Sequence, residues 1–191
     1  YCEENDIIFE SMIIEKYGDD NFHNEARAIR YSFFDKIVKK YDANYLMTAH
    51  HGDDLMETIL MRIVRGSSLK GYAGFKTVVE KDTYKIVRPL IFMTKEEIKD
   101  YDDKLGIKYA IDASNFKAKY TRNRYRKVVL PFLKEEDKNV HMHFLKFSKL
   151  LFEYDNYVEK ETQNKLKKEY ANNKLNIEEY KKLENLIKYK V

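Results

Sequence analysis

The sequence predicts an α/β protein: a parallel sheet flanked by helices, followed by an all-helical region. Three observations lead there. In the first half, short apolar runs alternate with apolar residues at helical spacing. From Arg122 onward only helical patterns occur. Near residue 135 the composition turns to Lys, Glu, Asn and Tyr, which separates a first region, 1–134, from a helical arm or linker over 135–191.

The elements follow in order. Ile7-Ile8-Phe9 and Met12-Ile13-Ile14 read as a short extended stretch. Asn21 to Tyr41 reads as a helix capped by Asn21, because Phe22, Ala26, Ile29, Phe33 and Ile37 recur at intervals of three and four. Tyr45 to Ala49 has the form of a buried strand. Asp53 to Val64 is the next helix, with Leu55, Ile59, Leu60 and Ile63 inward and two acids at its positive end. Thr77-Val78-Val79 and Tyr84 to Val87 suit a hairpin around Lys81-Asp82. Thr94 and Glu97 form a capping box for a helix that Gly106 ends near Leu105. Lys108 to Ile111 suits one more strand. Arg122 to Leu133 is helical, with Pro131 breaking or kinking it. Asn139 to Tyr170 and Asn176 to Tyr189 complete the helical part.

Composition excludes several classes. A hydrophobic fraction of 43% supports a core, so wholesale disorder is not expected. A mean hydropathy of -0.69 and the lack of a long uncharged apolar run argue against a membrane-spanning helix. One cysteine, Cys2, excludes a disulfide scaffold and a cysteine-rich metal site, and a cytoplasmic location is expected. The net charge of +4 permits a nucleic-acid partner without requiring one. The six glycines form no Walker or dinucleotide fingerprint.

Thr48 to Thr58 is the richest cluster. It places His50, His51, Asp53, Asp54 and Glu57 where a strand ends and a helix begins, the usual seat of chemistry in parallel sheets. Asp54 and Glu57 share a helix face. Two carboxylates suit Mg²⁺ arriving with a nucleotide, and His50 can donate to phosphate or base. The structural alternative is that one aspartate only caps the helix and Glu57 is solvated, but capping needs one acid rather than the whole group. A second cluster joins Asp112 to Asn115 with Tyr120 to Lys127. Residues 116–133 hold basic side chains and no acid, so Arg122, Arg124, Arg126 and Lys127 suit phosphate and the tyrosines suit base stacking. A solvated helix face is the alternative. Arg27 and Arg30 on the first long helix, and Arg65 before Gly66-Ser67-Ser68, are further candidates, each with surface packing or a helix-end charge as its plain explanation. His141 and His143 lie two apart and face different ways on a helix, so no shared metal is expected.

Taken together these residues resemble the tRNA(Ile)-lysidine synthetase family. The matching run is His50-His51-Gly52-Asp53-Asp54-Leu55-Met56-Glu57-Thr58, then Leu60, Arg62 and Arg65-Gly66-Ser67. Glu25-Ala26-Arg27, Arg30-Tyr31 and Phe33-Phe34 precede it. Arg88-Pro89-Leu90, Asp112, Ser114-Asn115, Tyr120, Arg122-Asn123 and Arg126 follow in the family's order, and the likeness covers about residues 1–135.

The resemblance implies an N-type ATP pyrophosphatase with an adenine nucleotide alpha hydrolase-like fold. The implied reaction is a ligase reaction. ATP adenylates the C2 carbonyl oxygen of the wobble cytidine in tRNA(Ile) with a CAU anticodon, releasing pyrophosphate. Free L-lysine then displaces AMP and leaves lysidine. On this reading Asp54, Glu57 and Arg122 are catalytic; Arg30, His50, Asp54 and Arg65 face the nucleotide; and Arg122, Arg124, Arg126 and Lys127 hold tRNA. Mg²⁺ is assigned to Asp54 and Glu57, ATP is the cofactor, and a homodimer is compatible with the reading. The family's Ser-Gly-Gly-x-Asp-Ser pyrophosphate loop does not occur in the chain, so it is expected upstream of Tyr1 and the 191 residues alone are expected to be inactive. Three rivals remain: a related tRNA-thiolating enzyme, disfavoured by the single cysteine; a His/Asp metal-dependent phosphohydrolase; and a basic helical RNA-binding module without catalysis.

Overall fold

The computed structural model describes residues 1–14, 22–110, 121–169 and 177–188. The chain divides into two compact units, Tyr1–Thr48 with Val78–Arg88, and Ala49–Thr77 with Pro89–Val191.

The first unit holds helix α1 (Phe22–Lys40) and three short strands, β1 (Tyr45–Met47), β2 (Val78–Glu80) and β3 (Lys85–Val87). Their order is β1-β3-β2. β1 runs parallel to β3 with Leu46 opposite Ile86, and β2 runs antiparallel to β3 with Val79 opposite Ile86. The described sheet is therefore mixed: the hairpin at Lys81-Asp82 adds an antiparallel strand to a parallel pair, because a two-strand hairpin can only fold back on itself. Val38, Tyr84 and Ile86 form the core here, with Tyr31, Ala43, Leu46 and Val79 packed on it. The apolar face read from the sequence is only partly the core face. Ala26 is buried, but Ile29, Phe33 and Ile37 line a cavity of about 690 Å³ with Ser11 and Met12. Tyr31 and Val38 carry the contact with the sheet instead, so α1 has two apolar faces rather than one. Residues 7–14, read from the sequence as a short extended stretch, pair with no strand among the described residues. Asn21, the expected cap, lies outside the described residues.

The second unit is helical. It contains α2 (Gly52–Arg65), α3 (Leu69–Tyr72), a 3₁₀ turn (Pro89–Phe92), α4 (Lys95–Leu105), α5 (Thr121–Arg124), a π-turn (Tyr125–Val129), α6 (Leu130–Glu136), α7 (Val140–Glu169), α8 (Ile177–Lys182) and α9 (Asn185–Lys188). Leu55, Ile59, Ile91 and Leu145 make its core, with Phe75 and Phe144 against them. Leu55 and Ile59 point inward as the spacing predicts, whereas Ile63 is half exposed at the end of α2. Gly74 sits at φ +77°, and a Cβ there would stand 2.7 Å from Leu55 Cδ1, so both backbone and packing demand glycine. Arg62 donates to the carbonyls of Gly71 and Gly74, closing that loop onto α2. Ser148 on α7 donates to the carbonyl of Ala73.

α4 has the expected ends: Thr94 and Glu97 exchange hydrogen bonds, and Gly106 is left-handed at φ 64°. Residues 108–110 form no strand, and Ile111 lies outside the described residues. Pro131 does not break its helix. In a regular α-helix its ring would press on the carbonyl four residues back, and it offers no N–H. The chain instead widens into the π-turn just before it, where the Leu130 N–H bonds to the carbonyl of Tyr125, five residues back. The last expected helix is two short ones, separated at Leu183-Glu184.

Candidate functional site

The site lies within the second unit, at the first turns of α2. Its backbone is seated before any side chain acts. The Gly52 N–H donates to the Met93 carbonyl at 2.8 Å. Buried His141 places Nε2 3.1 Å from the Phe92 carbonyl. A Cβ at position 52 would meet Met93 O at 3.0 Å and His141 Cβ at 3.1 Å, so glycine permits the close approach. His143, in contrast, is exposed and pairs with Asp137, so the two histidines do face apart.

Three acids follow, and each has a different job. Asp53 is 3% exposed; its Oδ2 accepts from the Lys95 N–H at 3.1 Å and from Lys134 Nζ at 2.8 Å. Lys134 also reaches Glu96 at 2.5 Å. Asp53 therefore ties α2 to the starts of α4 and to α6. Burial lowers the pKa of Lys134, but its hydrogen bonds to Asp53 and Glu96 more than offset this and hold it above the ordinary lysine value.

Asp54 accepts from the His51 N–H through Oδ2 at 3.2 Å, which fixes its rotamer and covers one free donor of the helix start. Its Oδ1 meets Arg122 Nη2 at 3.1 Å and Arg126 Nη2 at 3.4 Å. Glu57 is wholly buried. Arg122 Nε donates to its Oε2 at 2.5 Å and Arg126 Nε to its Oε1 at 2.6 Å, with Arg126 Nη2 on Oε2 at 3.1 Å. Burial works against the charge on Arg126, yet Glu57 and Asp54 hold its pKa above the ordinary arginine value. The result is a compact cluster of two carboxylates and two guanidiniums, with positive and negative groups in direct contact.

The candidates from the sequence thus fall into groups. Asp54, Glu57 and Arg122 come together. Arg126, expected with the RNA-facing residues, joins them. Arg124 is exposed on the same helical run, and Arg65 is exposed at the end of α2. His50 stands edge-on to Phe75 with ring centroids 5.3 Å apart. Arg30 is exposed on α1, in the first unit. Asp112, Ser114, Asn115 and Tyr120 lie outside the described residues. Sequence reasoning missed Lys134 and the anchoring role of Asp53. A signal existed: Arg122, Arg126, Leu130 and Lys134 repeat every four residues, and Lys134 stands one place beyond the acid-free basic stretch. Among the described residues no group of three or more His, Cys, Asp or Glu is arranged to hold a metal ion, and no helix is long and apolar enough to cross a membrane.

Comparison with known proteins gives the family. A family model described as a PP-loop domain matches residues 3–133. A tRNA(Ile)-lysidine synthase of Bacillus cereus is 47% identical over 173 residues, covering 87% of this chain and 36% of that protein. The enzyme of the same name from Bacillus subtilis (strain 168) is 41% identical over 173 residues, covering 88% of this chain and 37% of that protein. Among solved structures, the U34-tRNA thiolase NcsA from Methanococcus maripaludis with its [4Fe-4S] cluster has a TM-score of 0.60 at 16% identity, covering 78% of this chain and 53% of that one, which speaks for the fold alone. The chain spans little more than a third of the length of these curated relatives. The family model spans most of the chain, from residue 3 to residue 133, and with these relatives it leads to one assignment: the chain belongs to the PP-loop domain family.

Proposed function

We infer that this chain is the segment of a tRNA(Ile)-lysidine synthetase that carries the acid–arginine centre, with residues 1–134 as part of the catalytic domain and 135–191 as a helical arm towards tRNA-binding parts. The reading rests on one observation above all. Asp54 and Glu57 are gripped by Arg122 and Arg126, in a chain 47% identical to a curated lysidine synthase over most of its length. The intact protein would use ATP to adenylate the C2 carbonyl oxygen of the wobble cytidine in tRNA(Ile) with a CAU anticodon. The bond to the α-phosphate forms as pyrophosphate leaves. The ε-amine of free L-lysine then bonds to C2, AMP departs and the amine loses a proton. A cytoplasmic protein acting as a ligase follows from this, and a homodimer is compatible with it.

The chemistry explains why such residues are needed. Attack on a phosphate depends on positioning and on neutralising charge. Arg122 is the more exposed of the two guanidiniums and can turn towards phosphate, while Arg126 stays on Glu57. Arg30, His50 and Arg65 are assigned to the nucleotide, and Arg124 and Lys127 to tRNA. Mg²⁺ takes carboxylates from a protein when phosphates complete its shell, and Asp54 and Glu57 are the candidates to hold it; for that, Arg122 and Arg126 would both have to give up their bonds to the Glu57 oxygens. The ion would neutralise phosphate charge. The lysine substrate must attack as a free amine, yet with an unperturbed pKa of ~10.4 only roughly one molecule in a few thousand is neutral near pH 7. Asp54 or Glu57 can accept the proton.

The test uses the intact protein with ATP, tRNA carrying a CAU anticodon, and lysine. Pyrophosphate release should require the tRNA, and AMP release should require lysine as well. Asp54→Ala should abolish tRNA-dependent pyrophosphate release. Near-normal release would remove Asp54 from the mechanism, and release indifferent to tRNA would sink the proposal. The thiolating alternative has no observation in its favour beyond the fold likeness.

A further inference from the structure

The π-turn at Tyr125–Val129 contains Arg126, which with Arg122 before the turn grips Asp54 and Glu57; Lys134, which grips Asp53, follows it. Arg122, Arg126 and Lys134 are spaced at four and eight, yet all three meet the first two turns of α2. A regular α-helix does not allow this. At 3.6 residues per turn each four-residue step overshoots by ~40°, so Lys134 would be turned away from Arg122 by ~120°. One surplus residue absorbed in a π-turn takes back on the order of 100° and leaves a mismatch of only ~20°. Leu130, midway between Arg126 and Lys134, is 2% exposed, while Val128 within the turn is 68% exposed.

We propose that the π-turn is a register device: it takes up one surplus residue so that Arg122 and Arg126 reach the acid pair while Lys134 stays anchored on Asp53, and the ion pairs before, within and after it hold it open. Lys134 and Asp53 are positioning residues. They fix the far end of the helical run against which the arginines are aimed. The importance of this register for turnover rests on the function proposed above; the register itself does not.

Removing Val128 and replacing Pro131 with alanine should yield an unbroken α-helix in which Arg122 and Lys134 are eleven residues apart and still share a face. Arg122 and Arg126 each donate through Nε to Glu57, so both Nε–H protons should give shifted, slowly exchanging NMR signals in the intact protein labelled with ¹⁵N-arginine. Glu57→Gln identifies them. In the variant lacking Val128 and carrying Pro131→Ala, both signals should persist and any tRNA-dependent pyrophosphate release should stay within about threefold of the parent. Their loss, or loss of the helical circular dichroism, would overturn the proposal. Pro131→Ala alone should also keep both signals, since the ion pairs hold the turn. Their loss there would show that the proline holds it and would equally overturn the proposal. Persistent signals with no tRNA-dependent release from the parent protein would leave the register standing and remove the functional reading instead.

Discussion

Glu57 is a carboxylate with no exposed surface, and its charge is tolerated because two guanidiniums lie on it. The two partners are not equivalent. Arg126 is mostly covered and bonds Glu57 through two nitrogens, whereas the Arg122 side chain is 45% exposed. Removing one partner of a buried pair strands the other charge. Arg126→Met should therefore cost about 3–5 kcal/mol of stability. Arg122→Met should cost less, since its guanidinium is partly open to water and Arg126 still covers both Glu57 oxygens after it is gone. Thermal unfolding of the intact protein compares the two, and equal losses would contradict the assignment. Turnover should order them differently, with Arg122 mattering more for rate than for folding. The acids and Arg122 were legible in the sequence because a helix places Asp54 and Glu57 on one face and the family motif marks all three. The Asp53–Lys134 pair was not. Its partners are 81 residues apart, and only tertiary folding brings them together.

α4 shows how far local rules reach. Its capping box and its left-handed glycine were readable because each depends on a few neighbouring residues. Glu97 has a further consequence. The hydrogen bond from the Thr94 N–H to its carboxylate holds its pKa below the ordinary value of 4.5, burial opposing. An acid whose pKa is lowered on folding stabilises the protein fully above its unfolded pKa and loses that contribution as pH falls through the folded one. Stability should thus decline as pH drops below about 4.5, the ordinary glutamate value. Glu97→Gln keeps a hydrogen-bonding side chain without the titration, so its stability should fall less steeply over that window in urea melts. An unchanged slope would count against the role. Elements that depend on distant partners read less well. The strands have three residues each, too short for alternation to mark their ends, and residues 7–14 are apolar without pairing. The π-turn was hidden for a different reason. Pro131 signals an interruption locally, but whether a helix ends or widens there depends on what its two halves must hold.

Across the molecule, charge is nearly balanced at +4, so affinity for a polyanion must come from where cations stand rather than from their number. The acid-free run from 116 to 133 suggested a uniform basic face. The structure divides it. Arg126 is turned onto Glu57 and Asp54, while Arg124, two residues earlier, is exposed. A cation that neutralises a phosphate releases counterions and contributes to the salt dependence of binding; a cation already held by buried carboxylates does not. For tRNA binding to the intact protein, Arg124→Ala should weaken binding and lower the slope of log K against log salt by about one. Arg126→Lys, which keeps a charge on the acids, should leave that slope unchanged even if turnover suffers. Titrations at several salt concentrations separate the two residues. A reduced slope for Arg126→Lys with none for Arg124→Ala would reverse the division, and would mean that the acid–arginine cluster opens when tRNA arrives.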